Sequence, residues 1–185
     1  IGQSSGYSNS SASNNTFIGY YSGFFNTEGY ANTFVGSNSG YNNTTGYQNT
    51  FIGSSAGQQN TSGSQNTFIG NAGVSNTTGC HNIFIGSPSG IFNTEGSFNT
   101  FIGNFSGFYN TTGYQNTFVG YFTGYNNTTG SNNFAVGDCA LYANTIGCNN
   151  VAQGYRAINC NSGGNSNFAA GYKAIFNNKT GCNNF

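Results

Sequence analysis

Nine residues are the natural starting points for chemistry: five cysteines, one histidine and three carboxylates in a chain of 185. The cysteines are Cys80, Cys139, Cys148, Cys160 and Cys182, and no two of them form a Cys-x-x-Cys pair. A zinc site needs four converging ligands, and His81 has no second histidine to work with, so no metal or other cofactor is expected. Four cysteines crowd the last third, and Cys139, Cys148, Cys160 and Cys182 are candidates for disulfides, within or between chains, with open connectivity. Glu28, Glu95 and Asp138 are scattered, and Glu28 and Glu95 fall four repeats apart, roughly 19 Å at the spacing of stacked strands. An acid–base pair within one chain is therefore not expected, and no Gly-rich stretch ends in the Gly-Lys-Ser/Thr of a phosphate loop. The chain reads as non-enzymatic.

Charge excludes further classes. Three Lys+Arg balance three Asp+Glu, and charged residues make up 3% of the chain against about 25% in ordinary domains. Nucleic acid is not an expected partner, because phosphate binding rests on clustered cations and Arg156, Lys173 and Lys179 are sparse. No apolar run reaches the length of a membrane-spanning helix, so no membrane insertion of this segment is expected. Thirty Gly and abundant Asn, Thr and Ser would suit disorder, yet 18 Phe and 13 Tyr provide apolar surface that disordered segments lack.

The order comes from a repeat. Aligned on Asn-Thr-Phe-Ile-Gly, glycines fall at 2, 19, 36, 53, 70, 86, 103, 120, 137, 154 and 171, spaced by 17 except for one step of 16. So short a period is too small for a helical hairpin repeat, which takes about 34 residues. It predicts an all-β, parallel β-solenoid of about eleven coils, each coil stacked on the next. The Phe-Ile/Val segment reads as a strand ended by glycine, and a second short strand is expected between glycines such as Gly23 and the turn Asn26 to Gly29.

Two asparagine ranks accompany the repeat. One runs through Asn15, Asn32, Asn49, Asn66, Asn99 and Asn116, the other through Asn26, Asn43, Asn60, Asn93, Asn110 and Asn127. Stacked about 4.8 Å apart, each amide would donate to one neighbour and accept from the other, so the ranks read as structural ladders. Asn43, Asn76 and Asn110 also begin glycosylation sequons, which the repeat itself generates.

Consecutive strand residues face opposite ways, so one rank of each Phe-Ile/Val pair fills the coil and the other lies outside. The phenylalanines Phe17, Phe34, Phe51, Phe68, Phe84, Phe101 and Phe118 are read as the interchain stripe. Burying each is worth roughly 1.5–3 kcal/mol, and a continuous outer apolar stripe marks an interface. A homo-oligomer follows, a trimer first, with end-to-end filaments as the other arrangement if coil edges at the two ends are left open. Ile1-Gly2 and Asn184-Phe185 each fall inside a repeat, so targeting and anchoring parts are expected outside this segment.

The rung changes at about 131, dividing the solenoid into 1–130 and 131–185. Phe134 stands where earlier rungs have Thr, Ala135, Ala152 and Ala169 stand where they have Phe, and Leu141, Ile158 and Ile175 replace the second glycine of the coil. Two surface ranks carry alternative functions. The aromatics Tyr7, Phe24, Tyr41, Phe108, Tyr125, Tyr142 and Phe176 would pack against a neighbouring chain or stack on cell-surface polysaccharide. The threonine ranks Thr16, Thr33, Thr50, Thr67, Thr100, Thr117 and Thr27, Thr44, Thr61, Thr77, Thr94, Thr111, Thr128 would suit an ice-binding solenoid, although no Thr-x-Thr pair recurs on one strand.

The units Asn-Asn-Phe-Ala-Val-Gly-Asp-Cys-Ala-Leu-Tyr-Ala-Asn-Thr-Ile-Gly (132 to 147) and Asn-Val-Ala-Gln-Gly-Tyr-Arg-Ala-Ile (150 to 158) resemble repeats of bacterial and phage tail-fibre-like proteins that end in a self-cleaving chaperone domain. They are also similar to the heads of YadA-type trimeric autotransporter adhesins, whose Asn-Ser-Val-Ala-Ile-Gly motif shares the Asn start and Gly end. The resemblance implies a trimeric, left-handed parallel β-roll serving as an extracellular or cell-surface fibre, stalk or adhesin head.

Overall fold

A computed structural model describes residues 1–185. The chain is an all-β, parallel β-solenoid without helices. Each coil contributes one three-residue strand: β1 (Thr16–Ile18), β2 (Thr33–Val35), β3 (Thr50–Ile52), β4 (Thr67–Ile69), β5 (Ile83–Ile85), β6 (Thr100–Ile102), β7 (Thr117–Val119), β8 (Phe134–Val136), β9 (Val151–Gln153) and β10 (Phe168–Ala170). They pair in chain order in a single parallel sheet. Register is unbroken: Thr33 faces Thr50, Phe34 faces Phe51 and Val35 faces Ile52, and the 16-residue step keeps it, with Phe68 opposite Phe84. That step shortens the turn after Gly70 and leaves the strand untouched.

The expected second strand is absent. The stretch after each strand is turn, because two of its residues take left-handed φ, Tyr21 (53°) and Gly23 (61°) in the second coil, and extended backbone cannot pass through them. Those turns still stack coil on coil, as Gly23 N–H donates to Ser39 O at 2.9 Å and Phe25 N–H to Tyr41 O at 3.0 Å. Only 18 of 122 backbone hydrogen bonds lie in the strand ladder, so the stacked turns carry most of the order along the axis.

The strand's inward residue decides the core. Phe34, Phe51, Phe68, Phe84, Phe101 and Phe118 are all wholly buried, with Phe17 packed against them. Their rings form one stack with centroids 4.7–5.2 Å apart and planes within 20° of parallel. The phenylalanine rank is thus the inside of the coil and not the interchain stripe, and the correction follows from the glycine opposite each ring. A Cβ on Gly90 would sit 2.6 Å from Cδ2 of Phe84, so only a residue without a side chain leaves room for the ring.

From β8 the same volume is filled from the other wall. Ala135 and Ala152 replace the ring, and Leu141 and Ile158 stand at the former glycine position, all wholly buried. Leu141 (φ 55°) and Ile158 (φ 47°) accept left-handed backbone to do so, a conformation that costs an ordinary residue about 1–2 kcal/mol. Core filling is conserved in volume while its source moves six residues along the coil. The displaced bulk, Phe134 and Phe168, lies on the outer face at 38% and 44% exposure.

Candidate functional site

The surface that could act on other molecules is laid out in columns along the axis. The outer face of the sheet carries two. Thr33, Thr50, Thr67, Thr100 and Thr117 form one, interrupted by Ile83 between Thr67 and Thr100, and Val35, Ile52, Ile69, Ile85, Ile102 and Val119 the other. Ile18, Ile52, Ile69 and Ile102 are 37–41% exposed. The outer apolar stripe exists, but isoleucine and valine make it, with a threonine column beside them. The other threonine rank is engaged in the fold, because Thr44 Oγ1 donates to Thr61 O at 3.1 Å and its equivalents repeat the bond coil by coil.

Both asparagine ranks are internal. Asn43 Nδ2 donates to Asn26 Oδ1 (2.6 Å) and to Gly46 O (2.9 Å), and Asn60, Asn93, Asn110 and Asn127 repeat the pattern at 2.7–3.0 Å. The second rank bonds differently. Asn49 donates its backbone N–H to Asn32 Oδ1 (2.9 Å) and its own Nδ2 to Gly63 O of the coil above (2.8 Å), so these amides tie the ladder to the backbone. Asn32, Asn66, Asn99 and Asn116 do the same, and Asn15 donates Nδ2 to Gly29 O while its Oδ1 accepts the Asn32 N–H. No buried side-chain nitrogen or oxygen lacks a partner, which is what allows so polar an interior. The sequon amides of Asn43, Asn76 and Asn110 are buried in these ladders.

All five thiols are unpaired. Cys148 and Cys182 share a column two coils apart, roughly 10 Å at strand spacing, beyond the reach of a disulfide without backbone movement. Cys80 lies in that column too, and there the thiol does a hydroxyl's work: Ser131 N–H donates to Cys148 Sγ (3.3 Å), as Tyr114 N–H donates to Ser131 Oγ (3.1 Å) one coil earlier. Cys139 sits in another column, and the Cys160 thiol donates to Asn159 Oδ1 at 3.6 Å. Burial and then the Asp138 carboxylate push the Cys139 thiol up from its ordinary value, while Arg156 pulls it down. His81 is exposed and stacks on Phe98 with ring centroids 4.7 Å apart.

Aromatic side chains gather in two lateral clusters. Tyr7, Phe24 and Tyr41 stack at 5.1 and 5.4 Å, with Tyr21 and Phe25 set edge-on to them. Phe108, Tyr125 and Tyr142 stack at 5.3 Å, joined by Phe92, Phe105, Tyr109 and Phe122. Between the clusters the column passes through Gln58, Val74 and Ile91, so each is a separate patch. Burial and then a hydrogen bond with Tyr109 raise the Tyr125 hydroxyl.

Two open hollows border the second cluster. One, of about 520 Å³, lies against Phe92, Tyr109 and Asn126 beside Thr111, Thr128 and Thr145. The other, of about 400 Å³, lies among Phe122, Cys139, Tyr142, Arg156 and Asn159. No cluster of three or more metal-ligating side chains is present. Compared with protein-family profiles, curated proteins and solved structures, the chain has no match.

Proposed function

We propose that this solenoid is a mechanical, non-catalytic element of an extracellular fibre, stalk or filament, in which copies associate through the outer face of the sheet. The carrying observation is the in-register column Val35, Ile52, Ile69, Ile85, Ile102 and Val119, held on a single surface by five consecutive strand pairings. A flat apolar stripe of this kind favours partners with the same periodicity, and a second copy of the chain has it. A trimer is the preferred assembly. Light scattering on the purified chain tests this: the wild type should be oligomeric and the Ile52→Lys/Ile69→Lys/Ile102→Lys variant monomeric. A monomeric wild type at high concentration would overturn the reading.

The exposed aromatic clusters favour a second reading, a surface adhesin that stacks ring faces on cell-surface polysaccharide. For ice binding, one threonine column, broken at Ile83, remains free beside the aliphatic column, and a thermal hysteresis measurement discriminates that use.

A further inference from the structure

Arg156 and Lys173 are two of the three cationic side chains in the whole chain, and they occupy the same column in adjacent coils, with Lys173 aligned one repeat above Arg156. Each lies against an aromatic ring: the Arg156 guanidinium carbon is 5.2 Å from the Tyr155 centroid, and Lys173 Nζ is 5.2 Å from Tyr172 and 5.7 Å from Phe176. Stacking like charges on neighbouring rungs is unfavourable unless something negative joins them. The exposed Asp138 is the nearest carboxylate in the sequence, so two cations against one carboxylate leave one net positive charge.

The hollow below Arg156 has a specific origin. Going up the column, Phe105 and Phe122 stack at 4.6 Å, and the next residue is the small Cys139. In the adjoining column Tyr125 and Tyr142 stack at 5.3 Å, and the next residue is Asn159. The first column loses its bulk at Cys139 and the second one coil higher, at Asn159, so a stepped gap opens between Phe122, Tyr142 and Arg156. The faces of Phe122 and Tyr142 turned away from their own stacks therefore border the cleft of about 400 Å³, with Arg156 as its cationic wall. Asn159 is held there by donating Nδ2 to Cys139 O at 2.9 Å, and its Oδ1 keeps a lone pair for a ligand hydroxyl.

We infer that this cleft is a seat for a carboxylate-bearing sugar residue of an acidic polysaccharide. The C–H face of a pyranose packs on the Tyr142 and Phe122 rings, its carboxylate takes the Arg156 fork with Lys173 alongside, and its hydroxyls reach Asn159. Aromatic faces beside one guanidinium match that chemistry: a guanidinium takes a carboxylate in two parallel hydrogen bonds. A nucleic acid needs many more cations along its path. The seat supplies a ligand class to the polysaccharide-binding reading and rests on it, while it is independent of how shafts associate.

Titration calorimetry with oligogalacturonate, and with its methyl ester as the uncharged control, tests the assignment. The intact chain should bind the acid and bind the ester about tenfold or more weakly, the factor for one charge-assisted hydrogen bond. Arg156→Gln should abolish the difference between acid and ester. Cys139→Phe should block both ligands by continuing the Phe105–Phe122 stack at a position whose left-handed backbone already holds phenylalanine, and far-UV circular dichroism confirms that each variant is folded. No binding of the acid, equal binding of acid and ester, or binding untouched by Cys139→Phe would overturn the seat. Glycan binding that persists in the Arg156→Gln and Cys139→Phe variants would overturn the seat yet leave polysaccharide recognition elsewhere on the surface.

Discussion

Replacing Phe84 by alanine removes a wholly buried ring sandwiched between Phe68 at 4.8 Å and Phe101 at 4.7 Å. Such a deletion costs about 3–5 kcal/mol. Replacing Gly90 by leucine places a Cβ 2.6 Å from the same ring on backbone with φ 55°, which costs about 1–2 kcal/mol in conformation and about 1–3 kcal/mol in overpacking. Added independently, the two changes would remove roughly 5–10 kcal/mol, on the scale of a whole domain's stability. The double variant Phe84→Ala/Gly90→Leu should instead lose only about 1–3 kcal/mol, because the leucine enters the volume the ring vacates. The chain already contains this exchange, in Ala135 with Leu141 and Ala152 with Ile158, each residue wholly buried. Urea unfolding followed by circular dichroism on the four proteins of the cycle gives the coupling. Additivity within about 0.5 kcal/mol would refute the account of the core as one volume filled from either wall.

Other expectations follow from the same geometry. Asn60→Ala should lower stability by about 1–3 kcal/mol, since it strands the buried Asn43 Oδ1, whereas Gly63 O keeps Asn49 and Asn76 Nδ2 keeps Gly79 O, and one buried group left unpaired costs about that much; the urea midpoint reads it. Gly46→Ala should be strongly destabilising, because its Cβ would strike Gly63 O and Asn43 Oδ1, while Gly163→Ala, which meets only the Ile146 side chain, should stay within about 0.5 kcal/mol of wild type. Cys148→Ser should be nearly neutral in thermal unfolding, since Ser131 already accepts the equivalent bond in the preceding coil. Cys139 should be alkylated with a pH midpoint above that of an ordinary thiol, because burial and Asp138 favour its neutral form. Its contribution to stability is accordingly complete below the unfolded thiol's pKa and is lost as pH rises through the higher folded one.

Much of the molecule was legible along the chain because a solenoid makes its three-dimensional neighbours from residues one period apart. The 17-residue spacing placed β1 to β10, and the recurrence of Asn26, Asn43 and Asn60 announced an internal amide column. The second asparagine rank was legible as a column but not in its bonding, since Asn32 Oδ1 takes a backbone N–H and a pattern of side-chain types carries no sign of that. The surroundings of the thiols within one chain were hidden for a related reason. Cys148 and Cys182 suggested disulfides by compartment and count, whereas their column has the hydrogen bonds of a serine position.

The sequence by itself determined the period, the stacking of like residues and the location of the strands, because these depend on local chain propensities and on spacing alone. Only the tertiary structure decided which flank of Thr-Phe-Ile turns inward. Strand alternation separates Phe from Ile without saying which is inside; that choice is made across the coil, where glycines such as Gly90 leave space for a ring and Leu141 fills it when the ring is gone. The hollow beneath Arg156 was likewise decided in three dimensions, by two adjoining columns shedding their aromatic bulk one coil apart.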